Sequence, residues 1–231
     1  MQSANSLVLL FTLILTIEYL TFFAAIFFLH KKRNGIWRLF IPMLFIIICA
    51  ETLGWYWNNF LIKYYHFQKP NAWIFNFNMI ITDIFILWLL STTETLGKAR
   101  RIIYGLMMVF FLVAIINLLF IQGLWKYNQY TETAGDIIQV ITCCYVFYSF
   151  IKEEAFRNLL TYEYFWLANG ILFSAMGSAF LYNFPNALAN FQKHTGISIF
   201  TIINDMLNIL LYGSLIIAFI CRNRNTKLLQ A

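Results

Sequence analysis

Seven apolar runs, each long enough to cross a bilayer, dominate this chain of 231 residues. A membrane-crossing helix needs about 20 predominantly apolar residues. Runs of that length fall at 7–29, 39–59, 72–92, 102–122, 131–151, 159–182 and 198–220. They occupy two thirds of the chain, and the longest connection, 183–197, has 15 residues. No soluble domain fits between them. The expected fold is therefore an all-α integral membrane protein, a single seven-helix bundle over residues 1–231. Composition agrees, since only 11% of residues are charged, against about 25% in soluble domains. So few charges cannot cover a water-facing surface.

The first run reads as a retained helix. A secretory signal has a basic segment before its apolar core and a small-residue cleavage site after it. Here Met1–Ser6 carries no Lys or Arg, and Lys31, Lys32 and Arg33 follow the run. Basic residues concentrate on the cytoplasmic side of membrane proteins. With the amino terminus outside, 12 Lys and Arg lie in inner segments and 4 in outer ones. That predicts an N-out, C-in topology in the inner (plasma) membrane. Trp37, Trp55, Trp57, Trp73 and Trp125 fall near predicted interfaces, as an aromatic belt would. Pro70 and Pro185 read as helix breakers in outer loops. The net charge of +6 follows from topology, and no basic-aromatic stripe points to nucleic acid. The partner that composition does imply is the lipid bilayer.

Small residues Gly170, Ser174, Gly177 and Ser178 recur at three- and four-residue spacing in the sixth run. Such a stripe marks a face for close helix contact. A weak repeat also runs through the chain. Ile80-Ile81-Thr82-Asp83 matches Ile202-Ile203-Asn204-Asp205, and the pairs Glu18/Asp136 and Glu51/Asn169 share one offset. This allows a 3+1+3 parallel arrangement of the kind some transporters use.

The chemistry lies in acids without basic partners. Glu18, Glu51, Asp83, Asp136 and Asp205 sit well inside the runs, which hold no Lys, Arg or His. An ionisable group at membrane depth is costly unless it is paired, neutralised or wet. These five should face the bundle interior, whereas Glu132 and Glu163, near run ends, can reach headgroups. At ~1.5 Å rise per residue, the five lie roughly 8–16 Å below the outer end of their runs. Asn76, Asn78, Asn117, Gln139, Asn204 and Asn208 fall in the same outer half, and the inner half is nearly all apolar. The expectation is a cavity open to the outside, with Glu18, Glu51, Asp83, Asp136, Asn169, Asn204 and Asp205 as its ligand shell.

Three occupants suit that shell: protons on the acids, a cationic or amine-bearing solute, or a hard cation. All-oxygen donors favour sodium, calcium or magnesium over zinc. Tyr56, Trp57, Tyr145 and Tyr164 could add cation–π contacts, and His66 and His194 could cap the site. The bland alternative is a hydrogen-bond network that only fixes packing. The four cysteines, Cys49, Cys143, Cys144 and Cys221, lack metal-site spacing and read as packing residues. No intramembrane histidine or lysine serves a zinc hydrolase, a serine protease, a retinal Schiff base or a haem. An enzyme is not expected, and no cofactor is implied.

Glu18, Glu51-Thr52-Leu53-Gly54, Tyr162-Glu163-Tyr164-Phe165-Trp166 with Gly170, and Asn204-Asp205 give the chain a family likeness. In these features it resembles uncharacterised small bacterial seven-helix integral membrane proteins, often encoded beside sensor histidine kinases. The resemblance implies a signalling role through such a partner. The leading functional expectation is a sensory, receptor-like module that binds a small cationic solute or protons. A proton- or cation-coupled transporter comes second and a structural membrane subunit third.

Overall fold

The computed structural model describes residues 2–63, 65, 69–97, 99–152 and 158–228, with the side chains of residues 2–12, 32, 33, 59, 95, 185, 186 and 228 outside that description. Among the described residues the fold is all helix. The long helices are α1 (Gln2–Leu29), α2 (Phe40–Tyr56), α3 (Ala72–Ser91), α4 (Ala99–Ile116), α5 (Gln129–Lys152), α6 (Glu163–Asn183) and α8 (Ile199–Leu228). A shorter helix, α7 (Pro185–Thr195), joins α6 to α8. Segments Trp57–Ile62 and Asn117–Ile121 continue α2 and α4 as π-helix. In hydrocarbon every backbone N–H and C=O must bond within its own segment, and a helix achieves that. Six helices are long and apolar enough to cross a membrane, and Leu13–Leu29 of α1 forms a further apolar stretch. The chain thus has the character of a multi-pass membrane protein.

Two expectations about the connections change. Residues 183–197 are not a loop: Pro185 starts α7, because its fixed φ and missing N–H suit the first helical turn. Gly196, at φ 72°, ends α7 in the left-handed conformation, which favours glycine. The last helix also outlasts its apolar run by about two turns, ending at Leu228 rather than near residue 220.

The helices close a ring in the order α1, α2, α3, α5, α6, α8, and α8 returns to α1. Helix α4 stands outside this ring, packed on α3 and α5. The ring has two unlike halves. In the half where α3 and α8 end, Phe40 fills the middle, with ring centroids 5.5 Å from Trp37, 5.2 Å from Phe85 and 5.0 Å from Phe219. Leu44, Leu89, Val146, Leu167, Ile171 and Leu215 complete that core. Trp37 is therefore no interfacial anchor. It is 0% exposed, with its ring edge-on to Tyr164.

The small-residue stripe on α6 serves two neighbours. Gly170 and Gly177 lie against Ser214 and Leu207 of α8, so tightly that a Cβ on either would collide. Ser178 turns to α5. Gly54 does a similar job on α2, where a Cβ would sit 2.5 Å from Cζ of Phe75 on α3. Asn71 ties the same junction by donating to the Gly54 carbonyl at 3.1 Å.

Candidate functional site

The acids lie in the other half of the ring, where α3, α5 and α8 begin. Their spacing on each helix decides what they meet. Glu132, Asp136 and Gln139 follow one another at intervals of four and three, so they share a face of α5. That face meets α3 and α6. Gln139 donates to Oδ1 of Asp83 at 2.8 Å. The other oxygen of Asp83 lies over Gly135, where a side chain would displace it. Ser178 of α6 donates to Oδ2 of Asp136 at 2.6 Å. Asp136 and Glu132 are both electrostatic neighbours of Asp83. Three carboxyl groups therefore gather between α3, α5 and α6.

Two tyrosines close this cluster. Tyr127, just before α5, stacks on Tyr182 of α6 with centroids 5.3 Å apart. Its hydroxyl lies within reach of Glu132 and of the Tyr182 hydroxyl. Burial, with Tyr182 and Glu132 nearby, pushes the Tyr127 phenol above its ordinary range, so it acts as a hydrogen-bond donor. Gln129 adds a bond to the Tyr182 carbonyl.

A second group forms between α1, α2 and α8. Glu18 is only 3% exposed, and its Oε1 accepts from the Tyr212 hydroxyl at 3.0 Å. Its Oε2 is buried without a partner. Glu51 is the acid nearest in electrostatic range and makes no side-chain hydrogen bond among the described residues. Asp205, further along α8, is 9% exposed and also has a buried oxygen without a partner.

The remaining shell residues divide differently from the expectation. Asn169 donates to the Phe165 carbonyl one turn back on its own helix. Asn204 contributes its backbone carbonyl to Asn208. Among the described residues neither side chain hydrogen-bonds a carboxylate. Asn76 fastens the α4–α5 connection, donating to the Lys126 carbonyl at 2.9 Å and accepting from the Asn128 N–H at 3.0 Å. Asn117 bonds Gln122 and Thr131. The expected aromatics are elsewhere too. Tyr56 and Tyr145 are exposed on the outside of the bundle, Trp57 bonds the Lys69 carbonyl, and Tyr164 is in the aromatic half. Tyr127, Tyr182 and Tyr212 serve the acids instead. His194 is exposed at the end of α7, and His66 lies outside the described residues.

Glu163 corrects another expectation. It does not reach for headgroups but is buried, paired at 2.8 Å with Arg222 on the extended part of α8. Asn225 donates to its second oxygen, also at 2.8 Å. Nearby, Thr226 donates to Asn34 at 3.1 Å, tying α8 to the α1–α2 connection. This is the far end from the acid cluster, and the ion pair that the described residues show is here.

Among the described residues, no three His, Cys, Asp or Glu side chains converge closely enough to hold a metal ion. A cavity of about 450 Å³ lies away from the α3–α5–α6 cluster, between α1 and α2, with an apolar lining that includes Tyr19, Phe45 and Cys49. Comparison with family models, curated proteins and solved structures finds no match to the chain.

Proposed function

We propose that the protein is a seven-helix, receptor-like membrane module that takes up protons or a small cation in its acidic half. Its amino terminus lies outside the inner (plasma) membrane of a bacterium, with α1, 28 residues long, as the first crossing. The excess of Lys and Arg in the segments at the aromatic end supports that orientation. The observation that carries the reading is the set of neighbours around Asp83. Among the described residues they are the acids Asp136 and Glu132 and the neutral donor Gln139, with no cationic side chain beside them. Buried charge is stable when it is paired, so a proton or ligand cation would supply what those described neighbours lack.

Output passes along α8. Asp205 and Tyr212 stand in the half that changes charge, and Arg222, Asn225 and Thr226 grip α6 and the α1–α2 connection at the other end. A shift of α8 would alter those grips at the inner face, where a partner such as a sensor kinase could read them. Proton- or cation-coupled transport is the second reading. It is favoured by the ring, which has three helices on each side and α4 outside, the layout a 3+1+3 repeat would give.

The test is a thermal-unfolding screen of the purified chain with protons, sodium, calcium, magnesium and small amines. A ligand that binds only the folded state raises the midpoint with concentration. The reading expects an additive that stabilises wild type but not Glu51→Gln with Asp83→Asn. It fails when no additive shifts the wild type. Solute accumulation in proteoliposomes would favour the transporter over the receptor.

A further inference from the structure

Glu18 is sealed in the contact between α1 and α8. It is 3% exposed, and the hydrogen bond that its carboxyl receives comes from the Tyr212 hydroxyl, 3.0 Å from Oε1. Oε2 is buried with no partner among the described residues. A buried oxygen left without a donor loses its hydration and gains nothing in return. Tyr212 is buried too, and a phenol supplies one hydrogen bond and no positive charge. Glu51 of α2 lies in electrostatic range of both Glu18 and Tyr212, and it is less enclosed than Glu18. From α6, Tyr182 faces Glu51 and also Glu132 and Asp136 of α5. Helix α3 meets α2 through Phe75 and Asn71, which do not titrate. On α8 the next acid is Asp205, two turns from Tyr212. Among the described residues none of these neighbours is a cation.

The geometry limits what can complete this pair. Calcium takes six or more oxygen ligands and magnesium an octahedral set, yet among the described residues no three His, Cys, Asp or Glu side chains converge to hold a metal. An organic cation needs room, and neither acid lines the cavity of about 450 Å³ between α1 and α2. A proton needs neither a ligand shell nor a cavity. We propose that Glu18 and Glu51 hold one proton between them, which makes the α1/α2/α8 seam a proton-binding site. Glu51, the less enclosed acid, receives the proton. Transfer breaks its O–H bond and forms one at Oε2 of Glu18, which leaves Glu51 as the carboxylate and Tyr212 still donating to Oε1. The pair carries one negative charge in either arrangement. Loss of the shared proton charges both acids, and their repulsion loosens α1 from α2 beside the Tyr212 contact to α8. The inference rests on the reading of the acids as a proton or cation site and names the ligand for one part of it.

The experiment is carbon NMR of the full chain in micelles, isotopically labelled at the glutamate carboxyl groups and titrated with acid and base. The signals of Glu18 and Glu51 are those lost in Glu18→Gln and Glu51→Gln. Two acids that share a proton titrate as a pair, each signal following both steps, with the steps about one pH unit or more apart. The wild type should show that shared two-step curve. Glu51→Gln should leave Glu18 a single step and release its last proton about one pH unit lower, because the like charge beside it is gone. Single-step curves for every glutamate of the folded wild type overturn the proposal and need no variant to fold. So does a Glu18 midpoint unmoved in a folded Glu51→Gln. If sodium, magnesium or methylamine at fixed pH shifts the Glu18 and Glu51 signals while their pH curves stay single-step, this inference falls and the cation reading stands. If neither pH nor these cations moves Glu18, Glu51 or Glu132, and no additive raises the unfolding midpoint, both fall.

Discussion

Replacing Gly170 by alanine should weaken the α6–α8 seam by an amount the geometry sets. The new Cβ would lie 2.7 Å from Cβ of Ser214, 3.2 Å from its Oγ and 3.3 Å from the Leu211 carbonyl oxygen. Carbon atoms pack at about 3.5–4.0 Å, so the shortfall is roughly 1 Å. Neither a Cβ nor a backbone oxygen can rotate away, so the helices must separate. Overpacking of this kind costs about 1–3 kcal/mol, and helix propensity returns up to about 1 kcal/mol for Gly→Ala. The net expectation is a loss of about 1–2 kcal/mol. Gly177→Ala should cost less than Gly170→Ala, because it meets the Leu207 side chain rather than a Cβ and a backbone oxygen. The assay is reversible unfolding in mixed micelles for a cycle of Gly170→Ala and Ser214→Gly. Removing the opposing Cβ should recover about 1–2 kcal/mol as a coupling term. A coupling indistinguishable from zero would refute the steric reasoning.

Arg222→Met should strand the buried Glu163 carboxylate at a cost of about 2–3 kcal/mol, and adding Glu163→Gln should restore most of it by the same unfolding assay. Ser178→Ala removes the donor to Asp136 and should cost about 1–2 kcal/mol, whereas Ser174→Ala, measured in parallel, should cost less. Tyr212→Phe should cost about 1–3 kcal/mol and should also weaken any cation-dependent rise in the unfolding midpoint. A midpoint response equal to wild type would detach Glu18 from the proposed ligand shell. A single cysteine at His194 should react with an impermeant reagent in intact cells and one at Glu94 should not, in a background lacking the native cysteines. The reverse pattern would overturn the N-out orientation.

Hydropathy located the long apolar helices, closely at some ends and several residues off at others, as at the start of α6, residue 163 against an expected 159. The last residue of α3 is 91 against an expected 92, and α5 spans 129–152 against 131–151. It misplaced the end of α8 because a helix continues past the apolar run when its charged turns have partners, and Arg222, Asn225 and Thr226 have them. It missed α7 because a short amphipathic helix has no long apolar run. The spacing of Phe184, Leu188 and Phe191 was the available signal. Burial of the acids was readable from cost alone. Glu18, Asp136 and Asp205 are buried, and Glu51 and Asp83 partly so. Their partners were not readable, since periodicity gives the face of a helix but not the neighbour it meets. Tyr212 comes to Glu18 from 194 residues away, and Tyr182 of α6 comes into electrostatic range of Glu132 and Asp136 from a different helix. The peripheral place of α4 did leave a trace, for 102–122 contains no acid at all.

The central claim is that the carboxyl groups of the acidic half engage a cation or proton supplied from outside the chain. Infrared difference spectroscopy of the reconstituted protein reads those groups directly. Spectra would be taken with and without the stabilising cation, or across a pH jump, for wild type and for Glu51→Gln and Asp83→Asn singly. The account predicts a carboxyl-band change on addition that shrinks in each variant in turn. Saturating additions that leave the carboxyl bands of the wild type unchanged would contradict it and leave the acids as a fixed packing network.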